Sequence, residues 1–193
     1  MSLFVCGLAL FFGSHLFTSF ARGPREALIG RLGEKPYKGL YSVVSLVGFV
    51  LIVLGWPAAS TEPVFTPPTF GPEAAVLLTV PAFILLTAAY LPTGKLKAWT
   101  GHPMITGTGF FAAGHLFANG DLRSVLLFGG FLVYALLDRL SYKLRGDRGA
   151  KGGKVAWDLA AVIGGLVGAY LVIHHLHPYL AGVALDPGHL FGS

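Results

Sequence analysis

The chain is poor in cysteine and in charge. Its one cysteine among 193 residues, Cys6, excludes an internal disulfide and any zinc or iron–sulfur site built from several cysteines. Only 12% of its residues are charged, whereas soluble domains average about 25%. The sequence also lacks a Walker loop, a glycine-rich dinucleotide fingerprint and a GxSxG motif. The common nucleotide-binding and serine-hydrolase classes are therefore excluded.

Long apolar segments dominate the sequence, which is 54% hydrophobic. About 20 apolar residues in a helix cross the ~30 Å hydrocarbon layer of a bilayer, and lipid leaves an open chain no alternative to helix. We therefore predict an all-α, polytopic membrane protein that forms a single domain over residues 1–193. The pattern predicts six spans, at about residues 2–21, 38–56, 74–92, 103–118, 122–140 and 156–177.

The basic residues predict the orientation of these spans. Thirteen of the 14 lysines and arginines lie in three alternate connections, 22–38, 93–102 and 139–155, and Arg123 is the exception. Loops rich in lysine and arginine stay in the cytoplasm, so both termini are expected outside it. Because the basic residues separate apolar spans, the net charge of +5 indicates the lipid bilayer and not a nucleic-acid partner.

A pair of glycines with the spacing GxxxG, Gly164 and Gly168, lies in the last predicted span. Small residues at this spacing let two helices approach closely. The contact is either within the chain or between two copies of it, and the oligomeric state stays open.

Five of the seven histidines lie near the ends of predicted spans or beyond them. His174, His175 and His177 form a cluster in which no carboxylate is spaced to complete a metal site, so we interpret them as interfacial polar residues that end a helix. A metal site there is the alternative. His102 either caps a helix start or lines a site, and His189 lies in a solvated tail.

The other two histidines, His15 and His115, fall inside apolar spans. An ionisable residue inside a spanning helix is costly, and it is a functional-site hypothesis by default. Ser19 and Arg22 share the helical face of His15, while Phe111 and Asn119 share that of His115.

These two faces suit a haem. Imidazole ligates haem iron, aromatic rings such as Phe111 cover a macrocycle, Ser19 and Asn119 add polar contacts, and Arg22 pairs with a propionate. The alternative is two buried histidines that hydrogen-bond to neighbouring helices. The predicted boundaries also place His15 and His115 at depths that differ by roughly 10 Å, given a rise of about 1.5 Å per residue.

The same residues carry a resemblance to the NnrU family, whose order of motifs matches nearly the whole chain. The matching residues are His15-Leu16, Arg22, Gly33-Glu34, Tyr37 to Ser42, Ser45-Leu46, His102-Pro103, Gly107, His115 and Asn119-Gly120-Asp121. Such proteins are associated with nitrite and nitric oxide reduction. The resemblance implies a bacterial inner (cytoplasmic) membrane protein.

The domain also resembles the plastid zeta-carotene isomerase, a membrane protein that binds haem b. Its two motif histidines fall on His15 and His115, while its cysteine falls on Ala112, which removes a thiolate ligand. A weaker likeness joins His102-Pro103-x-x-x-Gly107 to membrane methyltransferases, although Gly101 and Ile105 stand where those proteins have arginine and tyrosine.

The resemblance therefore implies haem b between the first and fourth spans, with His15 and His115 as iron ligands. It implies an accessory or redox role in nitrite and nitric oxide metabolism, with a redox partner or a nitric oxide reductase system. The first alternative is an isomerase that acts on a lipophilic polyene such as a cis-carotenoid, and the second is a methyltransferase-like enzyme. Whether the protein is an enzyme stays open at this point.

Overall fold

The computed structural model describes residues 1–181, and the expectation for His189 lies outside them. Residues 1–181 contain helices and no strand of a sheet, which confirms the all-α class. The helices are α1 (Ser2–Phe20), α2 (Arg22–Leu32), α3 (Glu34–Gly55), α4 (Gly71–Tyr90), α5 (Lys95–Thr100), α6 (Pro103–Ala118), α7 (Leu122–Leu144), α8 (Val155–Leu171) and α9 (His177–Ala181). A π-helical turn, Val172–Leu176, joins α8 to α9.

Large apolar side chains point away from the bundle along its long helices. Leu54, Leu77 and Leu136 are 63%, 73% and 63% exposed. Such a surface is unfavourable in water and favourable in lipid. The helices therefore indicate a multi-pass protein in a lipid bilayer.

Within residues 1–181, five helices are long and apolar enough to cross a membrane, so the expected count of six is corrected to five. They are α1, α3, α4, α7 and the continuous segment Val155–Tyr179. The predicted span that is missing from this set is the fourth, 103–118, which forms α6 and has 16 residues. At about 1.5 Å per residue it is roughly 24 Å long, shorter than the ~30 Å hydrocarbon layer.

Residues at its two ends limit α6 to this length. Gly101 ends α5 with a φ of 72°, a conformation that glycine adopts without strain. Pro103 occupies the first turn of α6, where its missing N–H costs nothing. Asn119 is extended and ends the helix, and Asp121 caps α7 by accepting from the Ser124 N–H.

The first end of the bundle holds the chain's amino terminus. The Met1 ammonium donates to the Ala58 carbonyl oxygen at 3.1 Å. The connection between α3 and α4 pairs with the turn between α6 and α7 through a bridge from Pro63 to Asp121. We call this the amino-terminal end.

The opposite end gathers the basic connections, and we call it the basic end. The Arg139 guanidinium donates to the Thr100 carbonyl oxygen, and the Lys154 N–H donates to the Thr93 carbonyl oxygen. Because α6 begins beside Thr100 and ends beside Asp121, it connects the two ends despite its length. The connections therefore alternate between the ends, as the lysine and arginine pattern predicts.

The spatial order of the helices is α3, α1, α7, α6, α4 and α8, each packed against the next. Glycine makes the α4–α8 contact close, because a Cβ atom on Gly165 would lie 2.5 Å from the Ile84 Cα atom. Gly164 and Gly168 of the GxxxG pair meet Thr87 and Phe83 of α4. The pair therefore packs within the chain.

We expect Gly165→Ala to lower the unfolding temperature in detergent, because its Cβ atom would overlap the α4 backbone. Overpacking costs roughly 1–3 kcal/mol, and about 1 kcal/mol corresponds to ~2–4 °C in a chain of this size. The matched control is Gly129→Ala, where a Cβ atom meets nothing within 4 Å. Equal unfolding temperatures for the two variants would contradict the close α4–α8 contact.

Reporter fusions test the orientation. Alkaline phosphatase fused after Gly120 should be active, because the basic residues predict that the turn between α6 and α7 lies outside the cytoplasm, while a fusion after Gly149 should be inactive. Green fluorescent protein fused at the same two positions should give the opposite pattern. A reversed result would contradict the orientation, and the same side for fusions after Lys95 and Gly120 would show that α6 does not cross.

Candidate functional site

His15 lies on α1 in a half-buried position between α3 and α7. Its ring centroid is 4.4 Å from that of Phe11, 5.5 Å from that of Tyr41 on α3 and 5.4 Å from that of Tyr134 on α7. Three aromatic rings therefore surround the imidazole.

His115 lies on α6 in a similar aromatic setting. Its ring is 4.1 Å from Phe111 and stacks on Phe128 of α7 at 4.3 Å. The Asn119 side-chain amide donates to the His115 carbonyl oxygen at 2.8 Å, which closes the last turn of α6. The structure therefore brings Phe111 and Asn119 to His115.

The two imidazoles are oriented in the same way. The Nδ1 atom of His15 lies 2.7 Å from the Phe11 carbonyl oxygen, and the Nδ1 atom of His115 lies 2.9 Å from the Phe111 carbonyl oxygen. A carbonyl oxygen only accepts, so Nδ1 carries the proton in each ring. In the neutral imidazole, Nε2 then holds the lone pair that a metal ion can take. The donor chemistry of both side chains therefore suits a haem iron.

Both imidazoles contact α7, but at different heights and on different faces. The contacts are Phe128 for His115 and Tyr134 for His15, six residues apart. This is ~9 Å along the helix and about 120° around it. The offset agrees with the depth difference expected from the sequence. No ring contact joins the two histidines within residues 1–181.

Phe131 occupies the α7 face between these two contacts. Its ring centroid is 5.7 Å from that of Phe11 and 5.1 Å from that of Phe12. Aromatic side chains, the kind that cover a flat macrocycle, therefore line α7 from the His115 contact to the His15 contact.

The other two predicted residues lie on the side of His15 that faces the basic end. The Ser19 hydroxyl donates to the Asp138 carboxylate at 2.5 Å, and its oxygen also lies 3.1 Å from the His15 carbonyl oxygen. Arg22 is exposed at the start of α2. Their predicted contacts with a haem stay predictions.

Asp138 is a candidate functional residue that sequence reasoning missed. It is 4% exposed inside α7, where Ser19 and Ser141 donate to one carboxylate oxygen at 2.5 and 3.4 Å. A carboxylate in a spanning helix is itself a functional-site signal. The signal was visible as an acidic residue inside an apolar span, four positions after Tyr134 on the same helical face.

The remaining described histidines lie elsewhere. His102 stacks on Tyr142 at 3.5 Å at the basic end, and its Nε2 atom is 3.6 Å from an Asp147 carboxylate oxygen. His174 contacts Tyr170. His177 begins α9. In the described part of the chain, no three histidine, cysteine or acidic side chains converge as a metal site would require.

A comparison with models of protein families shows which family the chain belongs to. The family model for the NnrU protein matches residues 3–185, nearly the whole chain. The chain belongs to the NnrU family. The match includes both intramembrane histidines and Asp138, and it confirms the resemblance drawn from the His15, His102-Pro103 and His115 motifs. Searches of curated proteins and of solved structures find no match to the chain.

The Ser19–Asp138 hydrogen bond yields a stability prediction for this NnrU protein. Ser19→Ala should destabilise the fold by roughly 1–3 kcal/mol, because it removes a donor from a buried carboxylate. In an Asp138→Leu background the same change should cost much less, since no carboxylate is left unsatisfied. Thermal unfolding of the four proteins of this cycle measures the difference. Equal costs in both backgrounds would show that the hydrogen bond does not stabilise the protein.

Proposed function

We propose that this NnrU protein binds haem b in a bacterial inner membrane, with His15 and His115 as iron ligands. We further propose that it serves as a redox accessory protein in nitrite and nitric oxide metabolism. The observation that carries the proposal is the shared orientation of the two imidazoles. Each ring is fixed through Nδ1 to the carbonyl oxygen four residues earlier, which leaves Nε2 unprotonated.

The chain's own residues have separate tasks in this proposal. The carbonyl oxygens of Phe11 and Phe111 select the tautomer and raise the basicity of the ligating nitrogen. Phe128 and Tyr134 hold the rings against α7 and keep water away from them. When bound, haem b supplies a one-electron redox centre.

Arg22 is the side chain that we assign to a propionate. It lies seven residues after His15, at the start of α2, and its guanidinium is exposed. Arginine pairs with a carboxylate through two parallel hydrogen bonds and keeps its charge under all conditions.

Two histidine ligands favour electron transfer over substrate binding at the iron. If His15 and His115 both ligate the iron, no position on it would be open to a substrate unless a ligand leaves. Ala112 stands where the similar isomerase has cysteine, so a thiolate cannot replace a histidine here. A redox partner in a nitrite or nitric oxide reductase system is therefore the partner that we propose.

Absorption spectra test the cofactor. Protein purified from haem-sufficient cells should show a Soret band and, when reduced, the sharp α and β bands of low-spin haem b. His15→Ala and His115→Ala should each abolish or greatly weaken these bands, because little else holds the iron. His174→Ala is the matched control and should leave them unchanged. Arg22→Ala should weaken haem retention without changing the spin state.

Several outcomes would count against the site. Folded wild-type protein that stays colourless after haem addition would contradict haem binding. Bands that survive in either histidine variant would contradict ligation by both residues. Bands lost in His177→Ala but kept in His15→Ala would assign the second ligand to His177.

Two further assays separate a redox role from catalysis on a lipophile. If both histidines ligate the iron, the reduced protein should keep its Soret band under carbon monoxide. The purified protein should also leave a cis-carotenoid unchanged in detergent. Conversion of the carotenoid would contradict the redox role and support the polyene isomerase.

A further inference from the structure

A second region suited to a ligand lies apart from His15 and His115. A cleft of about 630 Å³ runs beside the contact between α6 and α7 in the half of the bundle near the basic end. Its volume falls in the ordinary range of ligand pockets, and its walls are apolar, as such pockets are. The larger wall residues are Leu85, Trp99, Ile105, Phe110, Leu132 and Leu136.

Several side chains that line this cleft are exposed on the outer surface of the helix bundle. Trp99 is 84% exposed, Leu136 is 63% exposed and Phe110 is 37% exposed. Since the same surface faces lipid, an acyl chain can reach the cleft directly from the bilayer. The floor is made of small residues, Gly109, Ala113 and Ala135, which leave room for such a chain.

Arg139 places a cation at the end of this apolar cleft. Its Nη1 atom donates to the Thr100 carbonyl oxygen at 2.8 Å, and both residues line the cleft. A guanidinium has five N–H donors, so most of its donors are not used by this bond. Within residues 1–181, Arg139 makes no ion pair with a carboxylate.

Three carboxylates near the basic end already have other partners. Asp138 accepts from Ser19, and Asp158 accepts from the backbone N–H groups of Lys95 and Leu96. Asp147 accepts from the Gly149 N–H and lies beside His102. None of these three carboxylates pairs with Arg139, so its charge can serve a group from outside the described chain.

We propose that the cleft binds an anionic phospholipid of the cytoplasmic leaflet, with an acyl chain along α6 and α7 and the phosphate at Arg139. Basic pockets between membrane helices on the cytoplasmic side bind such headgroups. A neutral lipophile would leave the guanidinium without a partner, and a small soluble anion would not use the apolar walls. The proposal rests on the cleft and on Arg139, and it is independent of haem binding.

Trp99 lines the cleft, so its fluorescence can report directly whether a lipid binds there. In a Trp56→Phe, Trp157→Phe background it is the one remaining tryptophan of the chain. The protein is reconstituted in phosphatidylcholine vesicles that contain an equal fraction of either phosphatidylglycerol or phosphatidylcholine with brominated acyl chains. Quenching of Trp99 fluorescence by the bromine atoms gives a binding constant for each lipid. Brominated phosphatidylglycerol should bind about fivefold more strongly than brominated phosphatidylcholine, which corresponds to roughly 1 kcal/mol for one basic side chain.

Variants of α7 show whether Arg139 causes the preference. Arg139→Gln should bring the ratio of the two quenching constants close to one. Lys143→Gln, which changes an exposed cation on the same helix outside the cleft, should keep the ratio. If Arg139→Gln does not fold, raising the ionic strength of the wild-type sample gives the second measurement, and it should reduce the ratio.

Three results would overturn the proposal. Equal quenching of the wild type by both lipids would remove the headgroup preference. An unchanged ratio in Arg139→Gln would assign the preference to other cations. Stronger quenching by a brominated diacylglycerol than by brominated phosphatidylglycerol would make the cleft a site for neutral lipophiles.

Discussion

The structure depends on the requirement that polar groups inside lipid find partners within the chain. The helical backbone meets most of this requirement, and three ionisable side chains meet it in specific ways. His15 and His115 each donate from Nδ1 to a carbonyl oxygen of their own helix, and Asp138 accepts from Ser19 on a neighbouring helix. The histidine bonds satisfy one ring nitrogen and leave the other with its lone pair, so the constraint that stabilises the fold also prepares the two side chains that we propose as iron ligands.

Helix α7 is where these features meet. It packs against both α1 and α6, and it supplies Tyr134 to His15, Phe128 to His115 and the buried carboxylate of Asp138. Its far end adds Arg139 to a separate cleft. One helix therefore carries residues of both the proposed redox region and the proposed lipid site.

The sequence predicts much of this arrangement and misses parts of it for physical reasons. Apolar segments and alternating basic connections predict the helical class and the two ends of the bundle, because lipid leaves few alternatives. They also predict the bounds of α6, 103–118, but these 16 residues are shorter than an ordinary membrane-spanning helix, which reduces the count of such helices from six to five. Residues 22–32, expected as a connection, form α2.

Some features of the candidate haem site can also be predicted from the sequence, and others cannot. The two intramembrane histidines, and Phe111 and Asn119 beside His115, follow from helical spacing. Contacts between helices distant in sequence do not, so the partnership of Ser19 with Asp138, 119 residues away, was out of reach. Asp138 itself was overlooked because it directly precedes Arg139 near the end of a predicted span, where a charge pair is unremarkable.

Electron paramagnetic resonance of the oxidised protein tests the central claim most directly, because it reports the number and kind of axial ligands on the iron. Ligation by His15 and His115 predicts the low-spin ferric signal of two neutral imidazoles. A high-spin ferric signal in the wild type would show an open axial position, and it would contradict a haem held by both histidines.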